Sequence, residues 1–243
     1  MRFSIVIVCF NAGEKLNQTV ENVLCQSMTD YEIVIKDGMS TDGSVEAAAE
    51  LIKSRGAAER LKLIREKDAG IYDAMNRGID EATGEIIGMI NADDWYEPEA
   101  LCVVNKTMEQ TPFDLFYADL RMWIDENRSF IKHARNRRYA TSRDWNHPTT
   151  FITREMYQKY RYKNETIHDD YDLILRMKKD GVRIVVVNEV LADFRMNGVS
   201  HERKISSALK RAKIKYEIYR RNGYSPFYLI ECYGVELAKL IIG

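Results

Sequence analysis

Residues Phe3 to Phe10 (FSIVIVCF) form an unbroken apolar run rich in β-branched side chains. Such a run reads as a strand buried on both faces, which predicts a parallel sheet covered by helices. Asn11-Ala12-Gly13 breaks it, and Leu16, Val20, Val23 and Leu24 then recur along one helix face. Tyr31 to Lys36 (YEIVIK) predicts a second strand ending at Asp37-Gly38, and Thr41-Asp42-Gly43 leads into a helix over Ser44 to Ser54. Leu61 to Arg65 (LKLIR) is a third strand. Asp68-Ala69-Gly70 opens a helix from about Ile71 to Ala82, stopped by Thr83-Gly84, and Glu85 to Ile90 is a fourth strand. Strands alternating with helices in this way predict an α/β fold with a doubly wound sheet.

The second half is less regular. Asp114 to Ile124 and Ser129 to Ala134 read as paired strands, and Trp145-Asn146-His147-Pro148 as a loop before Thr149 to Ile152. A short helix is expected over about 153 to 160, and another from Asp169-Asp170-Tyr171-Asp172 to Lys179, ended by Gly181. Val182 to Asn188 is a strand. From about Glu202 the pattern is helical to Arg221, broken by Gly223 and Pro226 before a last segment, Phe227 to Ile242. The expected division is residues 1–201 as one domain and 202–243 as a helical C-terminal extension.

In doubly wound sheets ligands sit beyond the carboxyl ends of the strands. The residues leaving those ends here are Asn11, Asp37, Asp68, Asp93 and Asp94. Acids repeated on one rim suit a cation or a hydroxyl-rich ligand. The fourth strand runs straight into Asp93-Asp94, a pair that is costly beside a core unless something positive meets it. A divalent cation holding a phosphate would do so. Taken alone, an Asp-Asp pair is also a common turn or helix-cap element.

Composition narrows the function classes. Net charge is -1 over 243 residues, so no global field points to nucleic acid. The cysteines Cys9, Cys25, Cys102 and Cys232 are far apart and form no C-x-x-C, as in a reduced intracellular protein. The N-terminal apolar run is too short for a signal peptide, and no stretch approaches a membrane span, so a cytoplasmic location is expected. The turn after the first strand holds one glycine, so a G-x-G-x-x-G loop is absent, as is a Walker loop. A bound nucleotide diphosphate would then need its charge met by a metal held on acids.

The motifs, in order, resemble inverting glycosyltransferases of family 2, with the GT-A fold, over nearly the whole chain. Ser4-Ile5-Val6-Ile7-Val8-Cys9-Phe10-Asn11 is similar to the family's opening strand. Asp37-Gly38-Met39-Ser40-Thr41-Asp42-Gly43-Ser44 resembles its D-[DG]-G-S-T-D-G-[ST] segment, with Met39 in place of glycine. Asp68-Ala69-Gly70-Ile71-Tyr72-Asp73-Ala74-Met75-Asn76-Arg77-Gly78 looks like a stretch of one bacterial branch. Gly84 to Asp94 resembles the strand and D-x-D-type metal motif, with Asn91 where many relatives have the first acid. Asp169-Asp170-Tyr171-Asp172-Leu173-Ile174-Leu175-Arg176 resembles the E-D-Y-D-L-x-L-R helix that carries the catalytic base.

The resemblance implies a doubly wound mixed sheet flanked by helices. It implies a metal-dependent, inverting transfer of a sugar from a nucleotide diphosphate sugar, UDP-linked, to a hydroxyl acceptor in surface polysaccharide synthesis. The acceptor would be a saccharide or a lipid-linked saccharide. Asn11, Asp37, Asp68, Arg77 and Asp93 would contact the nucleotide sugar, and Asp93, Asp94 and His201 would hold Mg²⁺ or Mn²⁺. Asp170 would be the base, although the helix dipole also favours acids in a first turn. His147 and Trp145 would face the acceptor; otherwise they are a structural loop histidine and a packed indole. Trp95 is a second candidate sugar platform. The basic cluster Lys132 to Arg138 is a solvated face or meets an anionic acceptor. The C-terminal helices would dock on the catalytic domain, form a homodimer contact, or lie on an anionic membrane surface at the inner face. Two rival functions are a noncatalytic nucleotide-sugar-binding protein of the same fold and a nucleotidyltransferase.

Overall fold

The structure is a computed structural model and describes residues 1–196 and 204–242. His201, a candidate metal ligand, lies outside the described residues. The first half follows the sequence pattern closely. Strands β1 (Phe3–Cys9), β2 (Tyr31–Asp37), β3 (Leu61–Arg65) and β4 (Ile86–Asn91) alternate with helices α1 (Glu14–Leu24), α2 (Ser44–Ser54) and α3 (Ile71–Glu81). These four strands are parallel, in the order β3-β2-β1-β4.

All seven residues of β1 are buried. Ile5 and Ile7 enter one core with α1 and α2, while Val6 and Val8 enter the other with α3. The two faces alternate with the strand period of two. Gly78 lets α3 lie against β1, since a Cβ there would stand 2.4 Å from Val6 Cγ1.

Beyond β4 the sheet becomes mixed, as expected. A two-residue strand β5 (Trp95–Tyr96) follows, then helix α4 (Ala100–Gln110), β6 (Leu115–Trp123), β7 (Ser129–Lys132) and β8 (Phe151–Thr153). Helix α5 (Arg154–Lys159), helix α6 (Asp169–Lys179) and strand β9 (Ile184–Arg195) complete this half. The order continues β4-β8-β6-β9-β5, with β7 hairpinned onto β6. Strand β9 runs well past the expected end at Asn188. Polar Asn188-Glu189 looks like a terminus, but pairing with β6 resumes beyond a bulge at Ala118 to Leu120. The extension carries Arg195 out to the strand-end rim, where it meets Asp93. Helix α4 is absent from the sequence expectations; Ala100, Leu101 and Val104 bury its inner face.

The C-terminal helices α7 (Ile205–Arg221) and α8 (Tyr228–Ile242) pack on the body. Ile218, Tyr219, Tyr228 and Cys232 join the same core as Leu173 and Ile174 of α6. The Tyr219 hydroxyl donates to Ala140 O at 3.0 Å, and Ala140 N donates to the Tyr228 hydroxyl at 3.0 Å. Buried Glu236 accepts from Arg211 and Lys215, each at 2.8 Å. The other face of α8 exposes Phe227, which precedes it, Ile230 and Leu237. Among the described residues, no helix is long and apolar enough to cross a membrane.

Candidate active site

The loops leaving β1, β2 and β3 interlock. Asn11, at φ 48°, accepts from Thr41 N at 2.9 Å, while its own N–H donates to Ser40 Oγ at 2.8 Å. Asp37 is fully buried. It accepts from Ser40 N and Ser40 Oγ and pairs with Arg65 Nε at 3.1 Å. Both of its oxygens are therefore spent on shaping this turn.

Asp68 sits at the open side of the same corner. It accepts from buried Lys36 Nζ at 3.1 Å and from Gly70 N at 3.2 Å. A Cβ on Gly38 would stand 2.9 Å from Asp68 Oδ2 and 3.4 Å from the Phe10 ring, so only glycine leaves this corner open. Phe10 itself is 65% exposed, although the strand before it is buried throughout. Phe10, Gly38 and Asp68 thus frame a shallow corner with an aromatic wall and a carboxylate. Arg77 is paired with Glu66 at 2.7 Å and Asp73 at 3.1 Å.

At the end of β4 the two adjacent acids part company. Asp93 has φ 98°, a conformation that costs a non-glycine residue energy. Thr19 on α1 fastens the turn, its hydroxyl accepting from Asp93 N at 3.1 Å and donating to Asp94 O at 2.9 Å. The Asp93 carboxylate faces outward and pairs with Lys15 at 2.6 Å and Arg195 at 3.4 Å. Asp94 turns inward and is 4% exposed. Its Oδ2 has no partner, nor do the buried Asn91 Oδ1 and Tyr96 Oη. Burial, reinforced by the charge of Asp93, pushes the Asp94 carboxyl up to about 8.

Only Asp93 of the pair is therefore presented to a ligand. Among the described residues, no group of three or more His, Cys, Asp or Glu side chains is placed to hold a metal. The arrangement still fits a cation that arrives with its ligand. Mg²⁺ commonly takes one or two protein carboxylates and fills its shell with substrate phosphate and water.

The first turn of α6 separates three acids by role. Asp169 is fully buried and accepts from Thr166 N at 2.9 Å, Thr166 Oγ1 at 2.8 Å and Arg221 at 3.2 Å. Asp172, also fully buried, accepts from Arg176, Arg221 and Asn222. Asp170 alone lines a cavity of about 240 Å³, together with Trp145, His147, Tyr171, Phe194 and Lys215. One of its oxygens accepts from Tyr171 N at 2.7 Å.

His147 Nε2 is buried without a partner. Burial lowers the imidazole pKa, and the Asp170 charge pulls the other way. Trp145 is 7% exposed, and its Nε1 donates to Thr150 Oγ1 at 2.8 Å. It is a packed wall of the cavity, not an open platform. The basic cluster is a largely exposed face, as expected, with some of its groups paired. Lys132 donates to Trp145 O, His133 meets Asp119, and Arg137 grips Asp144.

A second groove, of about 540 Å³, lies between Trp95, Trp123, Glu126 and Arg195. Arg195 stacks on Trp95, 5.0 Å from the ring centre, while reaching Asp93. Phe10, Lys15, Lys36 and Arg195 were invisible as site residues in the sequence. For Phe10 and Lys36 the available signal was position beside a strand end; Lys15 lies in the helix after β1, and Arg195 lies beyond the expected end of its strand.

A family model described as glycosyl transferase family 2 matches residues 4–179. A PGL/p-HBAD biosynthesis glycosyltransferase of Mycobacterium bovis is 39% identical over 122 residues. That match covers 49% of this chain and 47% of the relative, so the chain spans about half the length of such relatives. The amylovoran biosynthesis glycosyltransferase AmsB of Erwinia amylovora is 28% identical over 92% of this chain and 78% of its own. Among solved structures, S. aureus TarS 1-349 in complex with UDP-GlcNAc has a TM-score of 0.69 at 16% identity, covering 98% of this chain and 72% of that one. The mannosyltransferase PcManGT of Pyrobaculum calidifontis, in complex with GDP-Man and Mn²⁺, has a TM-score of 0.70 at 16% identity, over 99% of this chain and 74% of that one. These likenesses show the fold, which is GT-A.

Proposed function

We propose, from the premise that the chain belongs to glycosyl transferase family 2, that it moves a sugar from a UDP-linked donor to a hydroxyl of a saccharide or lipid-linked saccharide, with inversion. The observation that carries this reading is the division of labour in α6. Asp169 and Asp172 are consumed by the fold, and Asp170 is left facing a cavity beside His147.

In this reading Phe10, Gly38 and Asp68 receive the base, and Asp93 faces the diphosphate. Asp170 takes the proton from the acceptor hydroxyl. That oxygen attacks the anomeric carbon from the side opposite the leaving group, and the carbon–oxygen bond to phosphate breaks with its electron pair going to the diphosphate. His147, neutral and with Nε2 open, orients the hydroxyl. A Mg²⁺ or Mn²⁺ ion on Asp93 would supply Lewis-acid stabilisation of the leaving diphosphate.

The test is Asp170→Asn with UDP-sugar donors. Loss of a general base typically lowers turnover by about a hundredfold or more. Transfer should fall on that scale while UDP affinity is unchanged. Full activity in this variant removes Asp170 as the base.

A further inference from the structure

Asp93, the one acid of its pair that faces outward, is held by two cations on separate elements. Lys15 Nζ lies 2.6 Å from Oδ2, and Arg195 Nη1 lies 3.4 Å from Oδ1. Lys15 stands in the first turn of α1, and Arg195 is the last residue of β9. Both side chains are about half exposed, at 54% and 45%. Neither has a second carboxylate partner among the described residues. Asp94 cannot share the load, being turned into the core.

A dication placed on Asp93 beside both cations would put four positive charges around one carboxylate. The cation ends of these pairs reach solvent, so they can pass to another anion at modest cost, although the Asp93 side chain itself is only 17% exposed. A nucleoside diphosphate near neutral pH is a trianion and brings the cluster to neutrality. Lys15 offers it a point charge and Arg195 a planar fork suited to phosphate.

We propose that Lys15 and Arg195 form an exchangeable latch. They hold Asp93 in the protein alone, pass to the diphosphate oxygens when a nucleoside diphosphate arrives, and thereby free Asp93 for a divalent cation. The inference rests on the nucleotide-sugar reading above. It makes the cation conditional on the diphosphate, and by linkage each ligand tightens the other by the same factor. It also gives a lysine substitution two effects of opposite sign. Removing a competing ammonium helps a lone cation bind Asp93, and the same change weakens the diphosphate.

The experiment uses the whole chain and calorimetric titration of Mn²⁺ alone, UDP alone, and UDP with Mn²⁺ present. In the unaltered protein UDP should tighten Mn²⁺ binding about tenfold or more, a coupling of ordinary size between two sites. In Lys15→Gln, which removes the charge and keeps a polar side chain, Mn²⁺ alone should bind roughly two- to fivefold tighter, the scale of an exposed ion pair. UDP should bind that variant about tenfold more weakly, as for a lost charge-assisted hydrogen bond. Arg195→Gln should behave alike, and Lys106→Gln, on exposed α4 surface, should change neither constant. Mn²⁺ affinity unchanged or reduced in both site variants overturns the latch, even if UDP binds normally. A protein that takes up no UDP or UDP-sugar under any condition overturns the donor reading along with it.

Discussion

Arg221 Nε, at the end of α7, donates to Asp172 Oδ1 at 2.8 Å. The same guanidinium reaches Glu165 at 2.6 Å and Asp169 at 3.2 Å. One arginine of the C-terminal helices thus fixes the start of α6, on which Asp170 stands. In Arg221→Ala, Asp172 keeps Arg176, Lys163 and Asn222, but Asp169 loses the one cation that it pairs with among the described residues. Leaving buried acceptors short of partners should cost about 1–3 kcal/mol. Urea unfolding should show a lower midpoint with an unchanged slope. Turnover should fall further than UDP affinity does, because the residue positions the base and touches no ligand.

His147 gives a pH signature. Its imidazole is desolvated and its pKa lies below the ordinary value, with Asp170 opposing that shift. The native state therefore binds fewer protons here than the unfolded chain does. Stability from this group is full above the unfolded value of about 6.5 and is lost as pH falls from there through the folded value. His147→Gln should flatten the dependence of the melting temperature on pH below about 6.5 relative to the parent chain. In NMR titrations of the His147 ring, Asp170→Asn should move the midpoint further down, since the charge that favours imidazolium is gone. A midpoint that rises instead means that Asp170 does not act on this ring.

Much of the fold was legible because burial on both faces leaves a local trace. Phe3 to Cys9 could be little else than a central strand, and Leu16, Val20 and Val23 face the core at helical spacing as expected. What escaped is what long-range pairing decides. Strand β9 crosses polar Asn188-Glu189 because β6 is there to pair with it, and β5 is two residues long. The candidate site divides the same way. Its acids stand at strand ends, so topology pointed to them. Which acid faces outward depends on one backbone angle at Asp93, and the sequence Asn-Ala-Asp-Asp carries no trace of it. Lys15 likewise reads as an ordinary solvated residue of a helix start until Arg195, far along the chain, is found on the same carboxylate.

Phe10 is a large apolar side chain left 65% exposed at the one end of β1 where ligands bind. Its ring lies beside Gly38, and Asp68 borders the same space. Stacking of a base on an aromatic ring is worth about 1–3 kcal/mol when tested by alanine substitution. Phe10→Ala should weaken UDP binding about tenfold on that scale, whereas Phe10→Tyr should preserve it. Turnover at saturating donor should change little, because the base is remote from the reacting carbon. Equal UDP affinity in Phe10→Ala would place the base elsewhere.

Lys36 links this corner to the stability of the sheet. Its side chain is fully buried, and its ammonium donates to Asp37 O at 3.0 Å, Glu66 O at 2.7 Å and Asp68 Oδ2 at 3.1 Å. Lys36→Met keeps an apolar stem out to the ε position but removes every donor. The two carbonyls and the carboxylate then lose a partner, at a cost of about 2 kcal/mol. Asp68 would also be free to swing away from the space bordered by Gly38 and Phe10, so UDP should bind more weakly although Lys36 itself touches no nucleotide. Stability loss alone cannot produce that second effect. Val104→Ala, which opens a cavity under α4 at a cost of similar order, supplies the comparison: measured well below both melting temperatures, it should leave UDP affinity unchanged. If Lys36→Met and Val104→Ala bind UDP equally well, the carboxylate at the corner does not depend on the lysine that holds it.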